Sequence, residues 1–182
     1  MIESSEQELL ELLTNPNSHE QGFRLLVRQY QERLYWHIRR LVGTHEDAND
    51  VLQNVFIKVH RNIYQFSGNA KLYTWLYRIA SNESLTFIKQ QKRHSVADLE
   101  ASFMNALQAD PYFDGDAAQI KLQVALRQLP DKQQLVFVMR YFEALSYEDI
   151  SKVLETSVGA LKASYHHAAK KIEAQLRTMA EE

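Results

Sequence analysis

Apolar residues recur along this chain at helical spacing, with little sign of alternation. In 19–42, Phe23, Val27, Tyr30, Leu34, Ile38 and Leu41 fall on one stripe at about 100° per residue, which predicts an amphipathic helix. Gly43 stops it, and Thr44 offers an N-cap to a second helix with Glu46 and Asp47 in its first turn, where the helix dipole favours acids. That helix is expected to run to about residue 64, burying Ala48, Val51, Leu52, Val55, Val59 and Ile63. Ser67-Gly68-Asn69 marks a turn, and a third long helix is predicted over 71–92. Residues 94–118 hold no sustained period and contain the turn signals Asp110-Pro111 and Asp114-Gly115, although 96–107 admits a short helix. So long a loop is unusual inside a compact domain and is expected to be a linker.

The pattern restarts at Gln119. One helix is predicted over 120–128, ending at Leu129-Pro130. Asp131 is expected to cap the next, which carries Leu135, Val138, Met139 and Phe142. Ser146 starts another, Glu155-Thr156-Ser157 is a tight connection, and Ser157 caps a final helix bearing Leu161, Tyr165, Ala168, Ile172 and Leu176. No strand pattern competes and no internal repeat is present. The expectation is an all-α protein: two small helical domains, 1–93 and 119–182, joined by an acidic linker, 94–118.

Composition supports this. The 182 residues include only 5 Gly and 3 Pro, which favours long helices. With no cysteine, disulfides, thiolate catalysis and Cys-based zinc sites are excluded. Glu3, Glu6, Glu8 and Glu11 open the chain with no basic residue among them, unlike a secretory signal, and no apolar run is long enough to span a bilayer; a cytoplasmic location is expected. The net charge of −2 conceals segregation: −5 over 1–20, +7 over 21–93, −5 over 94–118 and +1 over 119–182. Two neutral-to-basic blocks separated by an acidic strip suggest two modules facing a polyanion.

Three constellations carry candidate chemistry. Residues 146–171 have the layout of a helix-turn-helix, whose second helix enters the major groove. Opposite its apolar stripe stand Gly159, Lys162, Ala163, His166, His167 and Lys170, small or basic residues able to approach bases and phosphates; the competing reading is the solvated outer face of a small bundle. In the helix from 45, Asp50, Gln53, Asn54, Ile57 and Arg61 share one side, and an exposed Ile there is a weak sign of protein docking. In 64–93, Tyr64, Phe66, Tyr73, Trp75 and Tyr77 are interleaved with Lys71, Arg78, Lys89, Lys92 and Arg93, as single-stranded nucleic acid requires, although helical spacing assigns several of these rings to a core. Trp75 and Tyr77 cannot share a face. Catalysis finds no support: no His, Asp and Glu set has convincing metal spacing, and there is no glycine-rich phosphate loop, so neither enzyme activity nor cofactor is expected.

Taken together, these stretches resemble the bacterial RNA polymerase sigma factors of the sigma-70 family, extracytoplasmic-function (ECF) type. Asp47-Ala48-Asn49-Asp50-Val51-Leu52-Gln53-Asn54-Val55-Phe56-Ile57-Lys58-Val59 resembles the family's core-binding helix in region 2. Phe66-Ser67-Gly68, then Thr74-Trp75-Leu76-Tyr77-Arg78-Ile79-Ala80 and Asn82, resembles its promoter-melting segment. Leu129-Pro130, Arg140-Tyr141-Phe142, Ser146-Tyr147-Glu148-Asp149-Ile150 and Ser157-Val158-Gly159-Ala160-Leu161-Lys162 resemble region 4.

The resemblance implies that Asp50, Gln53, Asn54 and Ile57 dock on the β′ clamp helices of core polymerase. It implies that Phe66, Gly68, Asn69, Ala70 and Asn82 hold a flipped −10 base, with Trp75 and Arg78 at the edge of the melted duplex. Ser157, Gly159, Lys162, Ala163, His166, His167 and Lys170 would meet the −35 element, region 4 would hold the β flap, and the acidic linker would run toward the RNA exit path. An anti-sigma partner is also implied. This chain departs from the family in three places. Asn54 stands where an acid is usual. The turn at Glu155 lacks the frequent glycine. The recognition helix has Ala163, His166 and His167 where arginines are common, so an imidazole contact there would strengthen DNA binding as the pH falls. The alternative reading is a stand-alone helix-turn-helix regulator with a helical N-terminal domain, binding a palindrome as a dimer. It leaves 66–82 without a role.

Overall fold

The computed structural model describes residues 5–94, 103, 105, 107–110 and 117–181. Among them there is no strand, and no helix is long and apolar enough to cross a membrane. The N-terminal bundle contains α1 (Glu6–Thr14), α2 (His19–Val42), α3 (His45–Asn62), a single 3-10 turn (Ile63–Gln65) and α4 (Leu72–His94). The C-terminal bundle contains α5 (Ala117–Arg127), α6 (Asp131–Phe137), one π turn (Val138–Phe142), α7 (Tyr147–Leu154) and α8 (Val158–Glu181). Of the short helix admitted over 96–107, residues 103, 105 and 107 are described and are helical; its other residues and most of the acidic linker lie outside the described residues.

The caps explain most boundaries. Thr44 accepts from the Asp47 amide at 3.2 Å, Ser146 from the Asp149 amide at 3.0 Å and Ser157 from the Ala160 amide at 3.3 Å, each satisfying one orphan donor of a first turn. Asp131 differs from expectation. It is the first helical residue of α6, behind Pro130, and no side chain caps that helix. Pro130 takes the boundary because its ring fixes the φ that a helix entry needs.

α1 was not expected from the pattern. Ser5 and Glu8 form a reciprocal capping box, and Leu9 and Leu13, one turn apart, are fully buried against α2. The crossing is close because α2 presents Gly22. A Cβ there would lie 2.8 Å from the Leu13 nitrogen and 2.9 Å from the Leu12 carbonyl carbon.

The core of the N-terminal bundle follows the sequence stripes. Tyr30, Leu34, Ile38 and Leu41 of α2 meet Ala48, Val51, Val55 and Val59 of α3 and Leu72, Leu76 and Ala80 of α4. Leu26 joins them, while Phe23 stays at the margin. In the C-terminal bundle, Leu126, Leu129, Phe137, Ala168 and Ile172 form a second cluster.

The two bundles pack directly on each other. Leu135, Val136, Val138, Met139, Leu145, Ile150, Val153 and Leu161 belong to the same buried cluster as the N-terminal core. Polar ties cross the seam as well. Gln134 Nε2 donates to the Leu41 carbonyl at 3.2 Å, and Arg127 donates to the Val42 carbonyl at 2.9 Å and to Gln91 Oε1 at 2.8 Å. From the acidic segment, Asp110 pairs with Arg39 at 2.6 Å and accepts from the His45 amide at 2.9 Å, with both charged side chains buried.

Candidate nucleic-acid interface

The segment over 66–82 begins where α3 ends. The 3-10 turn releases the chain, Phe66 packs on Trp75 with ring centroids 5.6 Å apart, and Ser67, Gly68 and Asn69 project into solvent. Gly68 has φ +71, a conformation that few other residues adopt, so the loop can bulge outward. Its exit is held by α1: Glu6 Oε1 accepts from the Leu72 amide at 2.9 Å, a carboxylate at the positive end of α4. Sequence reasoning missed Glu6; the available signal was the capping box beside it.

Along α4, Trp75, Arg78 and Asn82 are three and four residues apart and therefore share a face. Trp75 and Arg78 are half-buried and Asn82 is exposed. Tyr77 points elsewhere. It is buried with its ring 4.9 Å from that of His37, and is therefore closed to base stacking in this arrangement. Of the five interleaved aromatics, only Tyr64 is broadly exposed, stacked on His19 at 4.9 Å.

The face carrying Arg78 meets the C-terminal bundle. Arg78 Nη2 donates to the Lys152 carbonyl at 2.6 Å, and Nη1 lies 2.9 Å from Glu155 Oε1. The Tyr73 hydroxyl bonds to Asp149. That bond and the one from Ser146 hold the Asp149 carboxyl below its ordinary pKa, while burial and the same Asp149 bond raise that of Tyr73. Deeper in the seam, the His37 ring meets Glu143 at 2.7 Å and Ser81 at 3.0 Å. Burial pushes Glu143 upward, but the charge and hydrogen bond of His37, the Tyr77 hydroxyl and Arg40 outweigh it, and the net shift is downward. Burial and the neighbouring Glu143 drive Tyr77 upward.

The helix-turn-helix forms as α7, the turn Glu155-Thr156-Ser157 and α8. Leu161, Ala168 and Ile172 are buried, while Ser157, Gly159, Lys162, Ala163, His166, His167 and Lys170 are all exposed. The scaffold behind them is aromatic: Tyr165 stacks on Phe137 at 5.5 Å, and Lys162 Nζ lies 5.8 Å from the Tyr147 ring centre. Lys171, also exposed, adds a charge beside this face that the sequence reading did not single out.

On α3, Asp50, Gln53, Asn54 and Ile57 are exposed together on one face, the Ile at 42%. Among the described residues, none of the C-terminal bundle covers them. Exposed Trp36 was also missed, and Tyr141, named only within the region 4 resemblance, is exposed too; Arg40 lies 5.7 Å from the Trp36 ring centre and 4.8 Å from that of Phe142.

Comparison with known proteins matches residues 26–94 to the model of Sigma-70 region 2 and residues 119–172 to that of Sigma-70 region 4. The ECF RNA polymerase sigma factor SigW of Bacillus subtilis is 31% identical over 87% of this chain and 90% of its own length. The RNA polymerase sigma-H factor of Pseudomonas aeruginosa is 28% identical over 100% of this chain and 99% of its own. Among solved structures, CnrH in complex with the cytosolic domain of CnrY gives a TM-score of 0.71 at 19% identity, covering 96% of this chain and 99% of that one. The sigma factor RpoE in complex with the anti-sigma factor NepR from Bartonella quintana gives 0.67 at 21% identity, covering 85% and 96%.

Proposed function

The chain belongs to the sigma-70 family, in its extracytoplasmic-function branch, and from that premise we propose how its own residues serve promoter recognition. As an RNA polymerase sigma factor it binds core polymerase, directs it to promoters and helps melt them; it is not an enzyme. The residue roles rest chiefly on one observation. The α8 face of Lys162, Ala163, His166, His167 and Lys170 and the α3 face of Asp50, Gln53, Asn54 and Ile57 both stand open to solvent.

In this reading α8 enters the major groove at the −35 element, with Lys162 and Lys170 on phosphates and Gly159 and Ala163 allowing close approach. The α3 face docks on the β′ clamp helices, Ile57 supplying an apolar anchor within a polar ring. The 66–70 loop and Asn82 hold a base flipped out of the −10 duplex, with Trp75 and Arg78 at the junction. Unstacking of that base is offset by contacts in the loop. The C-terminal bundle holds the β flap, and the work is done in the cytoplasm. The domain boundaries proposed are 1–93 and 119–182, with 94–118 as linker.

Simultaneous reading of both elements requires the bundles to separate. The −10 and −35 elements are about 25 base pairs apart, or roughly 85 Å along B-DNA. A compact chain of this size is only about 40 Å across. An extended linker over 94–118 reaches roughly 80 Å, enough to connect the two sites once Asp110 leaves Arg39. An anti-sigma factor, as in the RpoE complex with NepR, would act on this same balance.

The test is run-off transcription with cognate core polymerase on a genomic promoter library. Starts that depend on this protein and share two spaced upstream motifs support the assignment. Absence of such starts, with the protein alone footprinting duplex DNA, overturns it in favour of a stand-alone regulator.

A further inference from the structure

Three carboxylates of the C-terminal bundle meet the helix that carries the melting residues. Glu143 sits at His37 and Tyr77, Asp149 at Tyr73, and Glu155 at Arg78. Two of the three α4 partners, Tyr73 and Arg78, are half-buried, and Arg78 shares its helix face with Trp75 and the exposed Asn82. Arg78 is met by Glu155 Oε1 and by the Lys152 carbonyl, an oxygen at the negative end of α7. A guanidinium held by two oxygens at 2.9 Å and 2.6 Å is in the environment that a phosphate would otherwise provide.

Glu155 is the unusual member. It is the C-cap of α7 at φ +51, the left-handed conformation normally given to glycine or asparagine. A glycine there would form the turn without strain but would carry no carboxylate. The seam beside it is incompletely packed: a cleft of about 210 Å³ separates Arg78 and Asn82 from Lys132, Thr156 and Ser164. The apolar contacts hold the bundles together, while the rim decides what Arg78 binds.

We propose that the C-terminal bundle is a built-in competitor of promoter DNA, Glu155 and the Lys152 carbonyl occupying Arg78 until the bundles part. The proposal rests on the assignment of Arg78 to the −10 junction. It makes the free protein a poor binder of melted DNA by contact as well as by net charge. It also gives Glu155 a regulatory role separate from the recognition helix that it precedes.

The experiment uses the full chain and a fluorescein-labelled 12-nucleotide single strand of mixed sequence, with binding followed by anisotropy at low salt. Glu155→Gln is expected to bind three- to tenfold more tightly than the parent. Glu148→Gln, which removes an exposed acid of the same helix, is expected to stay within about 1.5-fold. The gain is expected to vanish in Arg78→Ala/Glu155→Gln. Equal affinities for the two single variants, or a gain that survives Arg78→Ala, overturns the competition. In parallel, promoter opening by polymerase holding Arg78→Ala separates the two ideas. Impaired opening with no response to Glu155→Gln sinks the competitor and spares the −10 assignment. Normal opening with Arg78→Ala sinks the assignment and the competition with it.

Discussion

His37 of α2 and Glu143, 106 residues away, form a buried hydrogen bond of 2.7 Å, with the His side chain fully enclosed and the Glu 7% exposed. A carboxylate only accepts, so Nδ1 of His37 donates, and Nε2 is left to meet the Ser81 hydroxyl at 3.0 Å. The pair is reached because the π turn and Ala144, at φ +52, end the preceding helix and turn Glu143 toward α2. It joins the two bundles at the centre of their contact.

Removing one partner should therefore cost more than removing both. His37→Ala leaves a buried carboxylate beside Arg40 and Tyr77 without its imidazole donor, and is expected to lower stability by about 3 kcal/mol. The double variant with Glu143→Ala should lose less than the sum of the two single losses. Urea denaturation of the three variants and the parent measures the coupling.

The same pair sets an acid-side pH dependence. Burial raises the Glu143 pKa, but His37, Tyr77 and Arg40 bring the net value below the ordinary carboxylate range. A depressed pKa contributes stability above the unfolded value of about 4.3 and loses it as the pH falls through the folded value. The stability gap between the parent and Glu143→Gln should thus narrow below about pH 4. Denaturation midpoints across that range test the sign; a gap that widens contradicts it.

Gly22→Ala tests the α1 crossing. In an isolated helix the change would favour α2 by about 1 kcal/mol. Here the new Cβ would meet backbone atoms at 2.8 and 2.9 Å, so α1 must shift. A net loss of about 1–3 kcal/mol is expected. Faster amide exchange in α1, and at Leu72 whose amide Glu6 holds, would report it.

The α3 face separates function from folding. Ile57→Ala removes an exposed side chain and is expected to change stability by less than about 0.5 kcal/mol. If Ile57 is a polymerase anchor, affinity for core enzyme should fall about tenfold, a loss typical of a contact worth 1–2 kcal/mol. Titration of labelled core polymerase, beside a thermal melt, measures both.

Lys162→Ala is expected to leave the fold intact and weaken duplex binding by the polymerase complex across sequences. The slope of log affinity against log salt should fall by roughly 0.9, the value for one phosphate contact. An unchanged slope would place Lys162 off the DNA backbone and leave it to the Tyr147 ring, 5.8 Å from its Nζ.

Much of the helical layout was legible in the chain because helices are encoded locally. Period, cap and breaker placed α2, α3, α4, α7 and α8 to within a few residues, since each boundary depends on neighbours along the sequence. The exposed faces of α3 and α8 were legible for the same reason: a buried stripe implies its opposite side. α1 was hard to find because nine residues with two buried leucines carry a weak period, and its docking depends on Gly22 eight residues beyond its end.

The sequence alone determined the two bundles, their order and which sides of α3 and α8 face water, because these follow from short-range periodicity and turn chemistry. It did not determine that the bundles close on each other. The pairings His37–Glu143, Arg39–Asp110 and Arg78–Glu155 span 71 to 106 residues, and nothing in local spacing distinguishes these charges from solvated ones. Burial of His37 and Tyr77, and the engagement of Arg78 by α7, were decided only in the tertiary structure. A side chain's partner is set by which surfaces meet, and those surfaces come from distant stretches of chain.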